Sequence, residues 1–152
     1  MSELLLQNTF DAFSLVSAEI TTYATFSIDG YLQKEYFTQE ELEPSSSEYT
    51  LWQNVKEHCL SLIKGKRTPL RFKFVFALPV DKMNALLEAA ELSISSEEIQ
   101  GLYLNFQYNG TQLQCTTGSS LRTFSMDKSV EYAWDSAVEV LFRKHDVDFE
   151  VL

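Results

Sequence analysis

The residues best suited to chemistry in this sequence are the cations and glycine of Lys64-Gly65-Lys66-Arg67-Thr68-Pro69. Three positive side chains beside a glycine turn can hold a phosphate through charge-assisted hydrogen bonds. A helix C-terminus explains the same string, because Lys and Arg suit the negative end of the dipole and Gly ends the helix. It is not a Walker P-loop, since the upstream glycine and a Ser or Thr after Gly-Lys are both missing. A second cluster, Thr116-Thr117-Gly118-Ser119-Ser120, reads as a turn rich in hydroxyls. The backbone N–H groups of such a turn can bind anions. Lys64, Lys66 and Arg67 with Thr117, Gly118 and Ser119 therefore form a candidate site for a phosphate-bearing ligand, provided that the fold brings the two strings together.

Other catalytic groupings are thin. His58 and Cys59 are adjacent, but adjacent positions on a helix point about 100° apart, so they do not face each other. Cys59 falls on an apolar stripe and reads as a core thiol, and Cys115 also faces the core. His145 follows Arg143 and Lys144 at a helix end, where the dipole accounts for it. Two His and two Cys at no ligand spacing give no metal site, and no cofactor motif is present. The acids Glu40, Glu41 and Glu43 sit in a loop, and Asp135 and Glu139 on the wet side of a helix, so no isolated carboxylate pair stands out for acid–base work. The reading leans away from an enzyme.

Charge narrows the partners. The formal net charge is −10, which repels nucleic acid unless cations gather in one place. Six of the 12 basic residues do gather, between Lys56 and Lys73. Every apolar run is far too short to span a bilayer. The N-terminal Met1-Ser2-Glu3-Leu4-Leu5-Leu6-Gln7 turns polar at once, unlike a signal peptide. With only 2 cysteines, a disulfide framework is not indicated. The expected setting is cytoplasmic.

The elements that must position these residues follow from periodicity. Val16 to Ile28 alternates, with six of seven even positions apolar (Thr22 is the exception) and the odd ones polar or Tyr, the mark of a strand with one wet face. A three-residue loop Ile28-Asp29-Gly30 would pair Phe26 with Leu32 and Thr22 with Tyr36, placing Gly30 in a left-handed conformation. Thr38 to Glu48, acidic and Ser-rich, reads as a mobile loop. A helix from Leu51 to Lys64 follows, with Gly65 just past its end. Leu70 to Leu78 alternates as a strand with Phe72, Phe74 and Phe76 inward. A short helix runs to about Ala90, and Ser95 with Glu98 has capping-box spacing.

Asn109-Gly110 centres a hairpin over Leu102 to Thr117. A two-residue loop pairs Phe106 with Leu113 and Leu104 with Cys115. Leu121 to Met126 reads as a short strand, Ser129 to Lys144 as an amphipathic helix, and Val147, Phe149 and Val151 as a terminal strand. The sum is one domain over 1–152, in the α+β class. It is a mostly antiparallel sheet of about six or seven strands with two or three helices packed on one face. The other sheet face would carry Tyr23, Tyr103, Asn105, Gln107, Gln112 and Gln114, a surface of amides and Tyr. A protein partner or a second copy of the chain could use it. A plain solvated face of an antiparallel sheet explains it too, and is the simpler reading.

Several strings resemble a known but uncharacterised family. They are Ala18-Glu19-Ile20-Thr21-Thr22 with Ile28-Asp29-Gly30, Ile63 to Leu70, Gly101-Leu102-Tyr103-Leu104-Asn105, Cys115-Thr116-Thr117-Gly118, and Leu121-Arg122-Thr123-Phe124 with Asp127-Lys128-Ser129. The family consists of short proteins of unknown function from Gram-positive anaerobic, Clostridia-type bacteria, and the resemblance covers nearly the whole chain. It implies no activity. It implies that relatives begin with a further strand and a helix start ahead of the position of Met1. The order of hairpins and helices is also similar, at the level of fold alone, to one domain of a DNA sliding clamp.

Overall fold

The structure is a computed structural model that describes residues 5–41, 48–123 and 125–152. Five strands form its sheet: β1 (Ser14–Thr21), β2 (Thr25–Asp29), β3 (Arg71–Ala77), β4 (Ile99–Tyr108) and β5 (Leu113–Leu121). Their spatial order is β2-β1-β3-β4-β5, and every neighbouring pair is antiparallel. Three helices accompany them: α1 (Trp52–Ile63), α2 (Val80–Ala89) and α3 (Ser129–Lys144). The α+β class holds. Among the described residues there are five strands, fewer than the six or seven expected.

Neither the strand expected to Met126 nor the terminal one is present among the described residues. The stretch expected to pair Leu32 and Tyr36 back on Phe26 and Thr22 holds a 3-10 turn, Lys34–Tyr36, while the single strand expected over 16–28 divides into β1 and β2. The chain leaves β5 at Leu121, and the expected strand to Met126 does not form in the described residues, with Phe124 outside them. After α3, Val147 N–H returns to the Phe142 carbonyl at 2.9 Å, and the Phe149 ring packs on Phe142 at 5.4 Å. The alternating tail is thus turned against α3 instead of extending the sheet.

The first hairpin also differs. Its turn is Thr22-Tyr23-Ala24, closed by Thr22 N–H to the Ala24 carbonyl at 2.9 Å, and Ile20 pairs with Phe26 and Ala18 with Ile28. These pairs join even positions to even positions, so the alternation runs unbroken through the reversal and hides it. Gly30 has no left-handed φ. It is needed for a close approach instead, because a Cβ there would lie 1.7 Å from the Leu15 carbonyl oxygen. In the second hairpin Phe106 pairs with Cys115 and Tyr108 with Leu113. The loop has four residues, with the Asn109 side chain accepting from Thr111 N–H at 3.0 Å and Gln112 N–H at 2.8 Å. Asn109 spends its side chain on closing this wider loop, and Gly110 supplies φ +100°. The shift is by two residues, so the facing of each side chain survives.

The core lies between the sheet and its helices. Leu15, Ile20, Phe74, Phe76, Leu102, Leu104, Trp52 and Cys59 are fully buried. Phe72, Phe74 and Phe76 stand at alternate positions of β3, and Trp52 packs on the last two at 5.1 and 5.0 Å. Phe10, in the irregular segment before β1, meets Phe13, Phe76, Phe106 and Phe142 at 5.7, 5.8, 5.2 and 6.3 Å. Lys56 on α1 ties that segment down, with Nζ 2.6 Å from Asp11 and 3.1 Å from the Gln7 carbonyl. Within the expected 38–48 loop, Thr38 and Glu41 close a turn, the Thr38 hydroxyl donating to Glu41 at 2.9 Å. Residues 42–47 lie outside the described residues.

Candidate functional site

The two halves of the expected phosphate site are not brought together. Lys64, Lys66 and Arg67 are exposed beyond the C-terminal end of α1. Lys64 N–H still bonds to Leu60 at 2.8 Å, but Gly65 takes no left-handed φ. The segment then enters β3 at Arg71. Gly118 pairs with Tyr103, which pairs with Ala77 at the other end of β3. Six residues of strand separate the two levels, roughly 20 Å at 3.3 Å per residue, before the two-strand sideways step to β5 is added. Lys56, whose ammonium is committed to Asp11, is not part of the cationic group.

The hydroxyl string is not a turn either. Thr116 to Ser120 lies within β5, and alternation sends its residues to opposite faces. The Thr117 hydroxyl donates to the Asp135 carboxylate on α3, fastening the helix to the strand. Gly118 sits on the opposite face beside Tyr103 and Asn105. Ser119 lines a hollow of about 330 Å³ at the start of α3, with Ser120, Thr123, Asp127, Lys128 and Glu131. The Ser120 hydroxyl is hydrogen-bonded to Gln100 at 2.7 Å.

The polar sheet face is assembled more nearly as expected. One cross-strand row reads Ser27, Glu19, Lys73, Gln107, Gln114, and the next reads Asp29, Ser17, Val75, Asn105, Thr116. Ala77, Tyr103 and Gly118 make a third. The described helices pack on the other side, where Trp52 meets Phe74 and Asp135 meets Thr117. Tyr103 lies along its strand over Gly101, where a Cβ would meet the phenol oxygen at 2.3 Å. A side chain at this position would have to push that ring aside. Two expected members stand apart. Tyr23 is in the first turn, its ring edge-on to Phe26 at 5.6 Å. Gln112 belongs to the hairpin loop, where its carbonyl accepts from Asn109 N–H at 3.2 Å.

Two residues join the face without having been expected. Tyr31 and Tyr49 form an isolated bridge, with rings at 6.2 Å. Partial burial raises the Tyr49 phenol above its ordinary value, and Glu48, Tyr103, Asp29 and Tyr31 raise it further. Tyr31 N–H bonds to the Asp29 carboxylate at 2.9 Å, which sets the bridged pair at the Asp29 end of the face. Neither Tyr31 nor Tyr49 sits in a period-2 run, so alternation could not find them. The cysteines are structural in character: burial pushes both Cys59 and Cys115 up to about 12, which leaves little thiolate at neutral pH. Among the described residues no three His, Cys, Asp or Glu side chains gather where they could hold a metal ion. Nor, among them, is any helix long and apolar enough to cross a membrane.

The fold and this face define a class: an α+β protein on one antiparallel sheet, helices on one side and an amide- and Tyr-rich surface on the other. The chain belongs to the Family of unknown function (DUF5721), whose family model matches residues 3–150. No curated protein and no solved structure matches the chain significantly.

Proposed function

We propose that this chain is a single-domain, non-catalytic binding or regulatory module of the cytoplasm that engages a protein partner, or a second copy of itself, through its open sheet face. The observation that carries the reading is the one-sided sheet. Val75, Ala77, Tyr103 and Asn105 form its half-buried centre, and Ser17, Glu19, Lys73, Gln107, Gln114 and Thr116 its exposed margin. Tyr offers large contact area at low entropy cost, and amides adapt their hydrogen bonds, so such a surface suits recognition. A reducing compartment suits two free thiols, and a Gram-positive anaerobic source belongs to the same reading. A phosphate ligand is the alternative. It would rest on Lys64, Lys66 and Arg67 alone, because Thr117 is engaged by Asp135 and Gly118 and Ser119 are remote.

A thermal-shift screen of inorganic phosphate, sugar phosphates and nucleotides, run beside light scattering, separates the two. The binding-module reading expects a flat screen. It also expects any dimer, or any complex with an identified partner, to be lost in Tyr103→Arg but kept in Lys66→Ala/Arg67→Ala. A ligand-specific rise in Tm that disappears in Lys66→Ala/Arg67→Ala would overturn it.

A further inference from the structure

The far edge of the sheet has a feature that the open face does not explain. β5 is an edge strand of nine residues, Leu113 to Leu121, without a charge or a proline. Exposed edges are normally guarded by Lys, Pro or short length, since their free N–H and C=O groups template pairing with another strand. Arg122 N–H bonds to the Glu98 carbonyl at 2.9 Å, and the Gln112 carbonyl accepts from Asn109 at 3.2 Å. Even positions of this strand therefore turn their backbone groups toward β4. By the period of two, Leu113, Cys115 and Thr117 turn theirs outward. Among the described residues these outward groups have no backbone partner.

Beside that edge, on the helix side, lies a cleft of about 850 Å³ between β5, α3 and the C-terminal segment. Its floor is apolar, with Phe106, Leu113, Cys115 and Phe142. Its walls carry the carboxylates of Asp135, Glu139, Asp148 and Glu150, and no Lys or Arg lines it. Neither half of this arrangement suits a second copy. Each copy carries −10, and a pairing of two β5 strands would set the two acidic walls side by side.

We propose that this cleft receives an extended basic peptide, added to β5 as a further strand. Its backbone would satisfy the outward N–H and C=O groups of Leu113, Cys115 and Thr117, as in other cases of strand addition. Alternate side chains enter the cleft. One apolar residue sits over Cys115 and Phe106. The cleft-facing Lys or Arg two positions to either side lay their stems on apolar surface and bring their charges to the four carboxylates. The intervening side chains point to the other face, beside Gln114 and Thr116, where uncharged polar residues fit. The cleft is on the helix side of the sheet, so it stands whether or not the open face binds a partner.

The probe is a blocked synthetic peptide, Thr-Arg-Thr-Val-Thr-Arg-Thr, titrated into the full chain while amide exchange is followed residue by residue. In the free protein the Cys115 and Thr117 amides exchange fast and those of Gln114 and Thr116 slowly. Saturating peptide slows Cys115 and Thr117 by about tenfold or more. Glu139→Lys/Glu150→Lys weakens the peptide about tenfold, whereas Glu88→Lys/Glu91→Lys, an equal change of charge on and just beyond α2, has little effect. The same peptide with Glu in place of Arg, or Pro in place of Val, gives no protection. Unchanged Cys115 and Thr117 amides overturn the proposal, as does equal weakening by the α2 pair. Protection that rises with protein concentration alone, alongside a dimeric mass, overturns it in favour of a second copy.

Discussion

Gly30 offers the sharpest test of how the first hairpin is built. A Cβ at this position would meet the Leu15 carbonyl oxygen at 1.7 Å and the Val16 carbonyl oxygen at 3.2 Å. Relief requires the two segments to separate by about 1.5 Å, toward ordinary contact distance. Three backbone bonds meet at that crossing: Gly30 N–H to Val16 at 2.9 Å, Thr50 N–H to Gly30 at 2.9 Å, and Leu15 N–H to Thr50 at 2.8 Å. At about 1 kcal/mol each, their loss costs about 3 kcal/mol, and disturbing the fully buried Leu15 adds to it. Gly30→Ala should therefore lower Tm by roughly 10 °C, at 2–4 °C per kcal/mol for a chain of this size. Urea unfolding followed by the fluorescence of the buried Trp52 and Trp134 measures the loss. Gly30→Asn discriminates between two roles for the glycine. A left-handed turn would tolerate Asn better than Ala, whereas a close approach rejects both. Gly110, at φ +100°, is the internal control, where Asn should be the milder change. If Gly30→Asn stays within about 1 kcal/mol of wild type while Gly30→Ala does not, the close-approach argument is wrong.

Phe10→Ala removes the ring at which four others converge and should cost about 3–5 kcal/mol in the same urea assay; a loss under about 1 kcal/mol would mean that the segment before β1 is not docked. Lys56→Met should cost about 1–2 kcal/mol, since it strips a partly buried carboxylate and the Gln7 carbonyl of their donor. The cysteines give a pH signature. Burial holds both thiols at about 12 against 9.0 for a free one, so above pH 9 the unfolded chain loses these protons first. Their contribution is fully present below about pH 9 and is lost as pH rises from there toward about 12. At pH 10 each thiol accounts for about 1 kcal/mol of that loss. Cys59→Ala/Cys115→Ala should show a shallower decline between pH 8 and 10 than wild type, and identical slopes would refute the assignment.

Much of the fold was legible because its signals are local. α3 could be bounded at Ser129 and Lys144 from its apolar stripe alone, and β3 from three phenylalanines at alternate positions. What alternation cannot report is a reversal that preserves parity, which is why the turn at Thr22-Tyr23-Ala24 read as continuous strand. Nor can it report the competition that removed the terminal strand. Val147, Phe149 and Val151 alternate correctly, but Phe149 finds Phe142, and Arg143 lies over its ring at 5.7 Å. Phe10 is silent in the sequence for the opposite reason: it belongs to no periodic segment, and only the folded chain shows that the sheet and α3 close around it.

The candidate site divides along the same line. Which residues share the open face follows from strand parity, and parity survives a two-residue register shift, so Tyr103, Asn105, Gln107 and Gln114 are found together despite the wider loop. Whether two separate loops meet depends on strand order and direction, which no local pattern carries. β3 runs away from Arg67 and toward the level of Gly118, so an antiparallel β4 and β5 must set the hydroxyls at the far end. The same hairpin has another property. From Ile99 to Leu121 it carries no charged residue, in a chain with 34 charged residues among 152. A strand buried between neighbours has reason to be neutral, and β4 is one. β5, at the edge, has no such reason from packing alone, and its neutrality is what strand addition at that edge requires.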